Sequence, residues 1–120
     1  MVDILVVDDE PDLRFILRRI FQGAGHHVRE AGHGAAALDM VAAAPPGLVV
    51  TDMMMPVMGG AELIRRLRAA PGTATIPIMA VSGDPHLAVG ADAIVRKPFQ
   101  RRDLLACLDE LLHAKKVKSR

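Results

Sequence analysis

The chain has 120 residues, 51% of them apolar and 24% charged, with a formal charge of +1. That composition fits one folded domain over residues 1–120, argues against disorder, and gives no general electrostatic case for nucleic acid. No apolar stretch approaches a membrane span, and Asp8 and Asp9 interrupt the apolar run near the N-terminus, so neither membrane insertion nor a secretory leader is expected.

Residues 4–7 form a short apolar run that reads as a buried strand. Residues 11–24 place Leu13, Ile16, Leu17, Ile20 and Phe21 at helical spacing. Pro11 suits the first helical turn, Asp9 or Glu10 can cap it, and Gly23 and Gly25 stop it. Residues 27–31 read as a second strand, and residues 35–44 as an alanine-rich helix ended by Pro45 and Pro46. Residues 48–52 make a third strand. Pro56, Gly59 and Gly60 mark a loop before a helix over residues 61–70, striped by Leu63, Ile64 and Leu67. A fourth strand is expected over residues 76–81 and a fifth over residues 93–96. The last helix, residues 101–113, turns Leu104, Leu105, Leu108, Leu111 and Leu112 inward. The single cysteine, Cys107, lies in that pattern and is expected to pack as a small hydrophobe. A lone cysteine cannot form an internal disulfide, which suits a reducing compartment, and a soluble cytoplasmic protein is the expectation. The basic tail of Lys115, Lys116, Lys118 and Arg120 reads as a solvated end.

Alternation of this kind implies an α/β fold, a doubly wound parallel sheet with helices on both faces. In such sheets chemistry collects beyond the carboxyl ends of the strands. One connection is anomalous. Residues 83–91 are too few for a crossover, which normally needs at least about 10–12 residues with its helix. At most one or two helical turns are expected there, around residues 86–89.

Asp8, Asp9 and Glu10 end the first apolar run, and Asp52 ends the third. If both runs are parallel strands, these carboxylates meet at one sheet edge. Two like charges about 4 Å apart repel by roughly 4 kcal/mol even at an effective dielectric of 20. Such a cluster calls for a cation or a proton. Ser82 and Lys97 stand at the ends of two further runs. Each residue alone has an ordinary reading: an acidic helix start, a turn serine, a surface lysine, and Met53, Met54 and Met55 as core filler. Their joint placement points instead to a phosphoryl site. No histidine pair has zinc-ligand spacing, no Gly-rich phosphate loop ending in Lys-Ser or Lys-Thr is present, and only three phenylalanines are available for stacking bases.

The segments ILVVDDEP (4–11), VVTDMMMPVMGG (49–60), IMAVSG (78–83) and VRKPF (95–99) together resemble the receiver domain of bacterial two-component response regulators. The likeness covers nearly the whole chain. It implies a five-stranded sheet of order 2-1-3-4-5 and a set of roles. Asp52 matches the phosphoacceptor. Asp8 and Asp9 match the acidic pair that holds Mg²⁺, and Met54 the position whose backbone carbonyl joins them. Ser82 matches the hydroxyl that bonds a phosphoryl oxygen. Lys97 matches the family's lysine, and Lys97–Pro98 its cis peptide. The chemistry is consistent, because Mg²⁺ favours carboxylates, waters and phosphate oxygens, and phosphoryl transfer asks mainly for positioning and charge neutralisation.

Two departures from the family bear on output. Ile94 stands where most receivers carry Tyr or Phe, and the segment between Ser82 and Lys97 is short where the fourth helix should be, so that helix is expected to be shortened or missing. Phosphorylation chemistry is expected to survive while the usual output surface is reduced or rebuilt. Asp84 and Met54 match positions that tune phosphoryl lifetime in the family, and Asp84 is the one able to position a water.

The leading expectation is a phosphorylation-controlled switch fed by a sensor histidine kinase or phosphotransfer protein. It would signal to an unidentified downstream protein, without direct nucleic-acid binding, and catalyse only its own phosphorylation and dephosphorylation. The alternative is a protein-interaction module that works without phosphorylation. A Mg²⁺-dependent phosphatase is disfavoured, because Met54 stands where such enzymes carry an acid.

Overall fold

A computed structural model describes the backbone of residues 1–118 and the side chains of residues 1–113 other than residue 85. The basic tail read as a solvated end therefore lies outside the described side chains. The elements run β1 (Asp3–Val7), α1 (Pro11–Gly23), β2 (His27–Ala31), α2 (Gly34–Ala43), β3 (Leu48–Asp52), α3 (Gly60–Ala69), β4 (Ile78–Ser82), a 3-10 turn (Pro85–Leu87), β5 (Ala93–Arg96) and α4 (Arg101–Lys118). The sheet is wholly parallel, in the order β2-β1-β3-β4-β5.

Alternate residues of each central strand serve opposite faces, because side chains along a strand alternate with period two. Leu5, Val7, Val49, Ile78 and Ala80 pack with Ala37 and Val41 of α2 and Leu63, Ile64 and Leu67 of α3. Ile4, Val6, Leu48, Val50, Met79 and Val81 pack with Leu17 and Phe21 of α1 and Leu104 and Leu108 of α4. Burying one such leucine contributes about 1.5–3 kcal/mol. Cys107 joins the second face, and burial pushes its thiol up to about 11, with Glu110 adding to the shift. Among the described residues no helix is long and apolar enough to cross a membrane.

Several boundaries differ from the sequence reading. β4 starts at Ile78 rather than residue 76. Pro77 has no N–H for the ladder, and the Ile76 N–H bonds back to the Thr73 carbonyl at 3.2 Å. The strand runs one residue further than expected, so Ser82 is its last residue. α2 begins at Gly34 because His33 caps it, Nδ1 accepting the Ala36 N–H at 3.2 Å. α4 continues past residue 113 to Lys118.

The short connection between β4 and β5 is as expected: no α-helix forms there. Between β4 and β5 the chain makes only the 3-10 turn and returns as a strap along the α3 face. Ala88 is buried there, and Gly90 sits at φ 91 with Ile64 Cγ2 only 2.8 Å from where a Cβ would stand. Arg68 of α3 ties the end of this strap to the loop that precedes β4. Its guanidinium donates to the carbonyls of Ala74 (2.8 Å), Ile76 (2.8 Å) and Gly90 (3.1 Å) and to Asp92 Oδ2 (2.6 Å). Asp92 Oδ2 also accepts the Ile78 N–H at 2.7 Å, which tends the first residue of β4. Arg68→Met leaves three carbonyls and a carboxylate without this donor. It is expected to lower unfolding free energy by about 1–3 kcal/mol, read from the urea midpoint; an unchanged midpoint would mean that the strap holds without Arg68.

Candidate functional site

β1 and β3 are adjacent with Val7 opposite Thr51, so the residues that follow, Asp8 and Asp52, emerge side by side at the carboxyl edge of the sheet. Asp8 is 1% exposed and Asp52 5%, while Asp9 is half-buried. Ligand oxygens of the three carboxylates lie within 4.8 Å of one another. The sheet order brings them together across 44 residues of chain, and the buried apolar strands beneath leave them no freedom to separate.

Asp8 is tethered at nearly every polar atom. Its N–H donates to the Ala31 carbonyl at 3.1 Å, its carbonyl accepts from Arg14 Nη1 at 2.7 Å, and Oδ1 accepts the Glu10 N–H at 2.9 Å. Oδ2 is buried and has no hydrogen-bond partner among the described residues. Burial pushes the Asp8 carboxyl up to about 6. The Glu10 N–H opposes this, Asp52 and Asp9 add to it, and Lys97 pulls the other way. A buried acceptor without a donor is costly unless something fills its place.

Lys97 follows β5 and donates from Nζ to Asp52 Oδ1 at 3.0 Å. Its own N–H bonds to the Ser82 carbonyl at 3.0 Å, which ties the end of β5 to the end of β4. The Lys97–Pro98 peptide is cis. Ser82 is 2% exposed, and its hydroxyl is already engaged: it donates to the Asp84 carbonyl at 2.9 Å and accepts the Asp84 N–H at 3.0 Å. Asp84 Oδ1 accepts the His86 N–H at 3.0 Å and so starts the 3-10 turn. The Met54 side chain is exposed. The loop before α3 is drawn in tightly: a Cβ at Gly60 would lie 2.5 Å from the Asp52 carbonyl oxygen, closer than side chains tolerate. Gly60 therefore lets α3 start directly behind the site.

Three carboxylates face one ammonium here. With all ionised, the deficit is two positive charges. The donors are hard oxygens, one of them buried and unpartnered, which fits Mg²⁺. Asp8, Asp9 and Asp52 would hold it, with the Met54 carbonyl as the further position that the family resemblance implies.

Sequence reading missed Arg14, Glu30 and Arg68. Arg14 lies on the polar face of α1, and its partner Glu30 is 16 residues away on β2, with no motif joining them. A clue was available in retrospect: Glu30 is an acid on a strand whose neighbour β1 ends in acids, a placement that needs basic company.

Residues 4–109 match the family model of the response regulator receiver domain. The sensor histidine kinase TmoS of Ectopseudomonas mendocina is 35% identical over 93% of this chain and 12% of its own length. The DNA-binding response regulator MtrA of Mycolicibacterium smegmatis is 36% identical over 86% of this chain and 47% of its own length. The chain thus spans half or less of either relative. The crystal structure of the chemotaxis response regulator CheY4 of Vibrio cholerae superposes with a TM-score of 0.87 at 30% identity, covering 92% of this chain and 98% of that one.

The raised Asp8 carboxyl makes a signed prediction. Its folded value of about 6 exceeds the ordinary 3.8, so the folded state holds the proton more tightly and stability is lost as pH rises through about 6. Without divalent cation at pH 7.5, Asp8→Asn is expected to be more stable than wild type by about 2–3 kcal/mol. The gap should close as pH falls from 6 towards 4 in urea unfolding. Added Mg²⁺ should raise the wild-type midpoint more than that of Asp8→Asn.

Proposed function

This chain belongs to the response regulator receiver domain family, and from that premise we propose that it is a signalling switch that accepts a phosphoryl group on Asp52. The observation that carries this reading is the charge deficit around a buried Asp52, with Lys97 already on one of its oxygens. In transfer, a carboxylate oxygen of Asp52 forms the new bond to phosphorus. The bond from phosphorus to the donor, a phosphohistidine nitrogen or an acyl phosphate oxygen, breaks, and the leaving atom keeps the electron pair. Bound Mg²⁺ would neutralise the crowded carboxylates and the charge on the transferring oxygens.

The chain's own groups do the positioning. Asp8 and Asp9 hold the cation side of the site. Lys97 leaves Asp52 Oδ1 for a phosphoryl oxygen while staying tied through its backbone to Ser82. Ser82 reaches another oxygen by giving up its bond to the Asp84 carbonyl. The phosphoryl donor in this reading is a sensor histidine kinase or phosphotransfer protein in the cytoplasm, and the listener is a further protein. The formal charge of +1 gives these residues no general attraction for nucleic acid. The chain turns over no external metabolite in this role; it catalyses only its own modification and hydrolysis.

The test is incubation with acetyl phosphate or phosphoramidate, read by intact mass. Wild type is expected to gain one phosphoryl group in the presence of Mg²⁺ and none with EDTA, and Asp52→Ala none in either. Lys97→Ala should slow the gain without abolishing Mg²⁺ binding. A wild type that binds Mg²⁺ but takes no phosphoryl group, from these donors or a kinase panel, would favour a module that works without phosphorylation.

A further inference from the structure

The peptide joining Asp8 to Asp9 is gripped by a side chain that the acidic cluster itself does not require. Arg14, at the start of α1, donates from Nη1 to the Asp8 carbonyl at 2.7 Å and from Nε to Glu30 Oε1 at 3.0 Å. Glu30, on β2, takes a second bond on Oε2 from Arg18 Nη1 at 2.7 Å. The Arg14 and Glu30 side chains are only 22% and 26% exposed, so the tie is well sheltered from solvent.

We propose that Arg14, braced by Glu30 and Arg18, is a positioning residue for the cation site, aiming Asp8 and Asp9 together. The inference rests on the Mg²⁺ reading above. The carbonyl that Arg14 holds belongs to the planar Asp8–Asp9 peptide. A tilt of that plane changes ψ of Asp8 and φ of Asp9 together, and with them the placement of one carboxylate relative to the other. Mg²⁺ demands near-ideal octahedral geometry, so a small error in aim is costly. The other tethers on Asp8 are backbone groups of Ala31 and Glu10, which any residue supplies. Arg14 is the side chain among them.

The residue type matters for two reasons. A guanidinium presents several donors in a fixed fork, so one nitrogen can hold the Asp8 carbonyl while another holds Glu30. A lysine ammonium is a single point and cannot occupy both places in this geometry. Glu30 in turn occupies the face of Arg14 that would otherwise be free to turn towards the carboxylates and compete there with the cation. Arg18 keeps Glu30 in place.

The experiment is calorimetric titration of the unphosphorylated full chain with Mg²⁺, run beside urea unfolding of the same samples. Arg14→Met, Arg14→Lys and Glu30→Gln are each expected to weaken Mg²⁺ binding by about tenfold, the scale typical of residues that orient metal ligands. The double variant Arg14→Met with Glu30→Gln should be no weaker than Arg14→Met alone, because the two act through one tie. Should Arg14→Met fail to fold, Arg14→Lys and Glu30→Gln carry the test. Lost stability with wild-type Mg²⁺ affinity would make Arg14 a structural tie only and overturn the proposal, as would an Arg14→Lys that binds like wild type. A wild type that takes up no Mg²⁺ would strike the functional reading itself, and the two failures are therefore distinguishable.

Discussion

Like charges crowded at the edge of a rigid sheet are the constraint on which the rest of this structure depends. The strands beneath Asp8 and Asp52 are buried on both faces, and their register leaves the two carboxylates side by side. Neither can relax outward without dragging a strand from the core. The repulsion is met instead from around it: Lys97 sits on one oxygen of Asp52, the Glu10 N–H sits on one oxygen of Asp8, and Oδ2 of Asp8 is met by nothing among the described residues. The three carboxylates so gathered could hold a hard cation. The carboxylates are thus fixed in place by the sheet itself, so that little has to be reorganised around them when a charged group binds.

Much of this arrangement was legible in the sequence, because the features involved are local or periodic. Apolar runs that end abruptly in Asp8, Asp52 and near Lys97 mark strand ends, and strand–helix alternation puts those ends on one edge. Proline and glycine placed most helix boundaries within a residue or two. What escaped was of another kind. Arg14 and Glu30, or Arg68 and Asp92, are charged residues on polar faces, and any of them could have been mere solvated surface. Their partners are set by three-dimensional packing, which no spacing rule encodes. The start of β4 was misread for a simpler reason: Ile76 is apolar and buried like a strand residue, but Pro77 cannot join the ladder. The engagement of Ser82 with Asp84 was in principle readable, since serine hydroxyls often bond the backbone two residues on.

The strap between β4 and β5 shows how a lost helix is replaced. A helix satisfies its own backbone and needs only an apolar stripe to dock. A strap has neither; Arg68 holds one of its carbonyls, that of Gly90, and with the same planar group holds those of Ala74 and Ile76 in the loop before β4. Ala88 keeps a small part of the apolar contact a helix would have made, while Leu87, Val89 and Ile94 are left exposed. The rearranged surface is thus on the α3 side of β5, and it starts from the site, where Asp84 bonds the Ser82 hydroxyl.

The strand order has a consequence for how the protein behaves in a crowded solution. The segments with the greatest tendency to pair with strangers, DILVV, LVVTD and IMAVS, are all interior strands with neighbours on both sides. The two outer strands, whose unpaired backbone groups face away from the sheet, are HVREA and AIVR, each short and each carrying charge. Arg29 and Glu30 guard one margin; Arg96 guards the other, and Pro98 follows soon after with no N–H to offer. Edge charges and short edges are the usual defence against sheet-to-sheet association. A topology that gathers carboxylates at one end of its strands thereby also discourages the sheet from growing sideways into a second molecule.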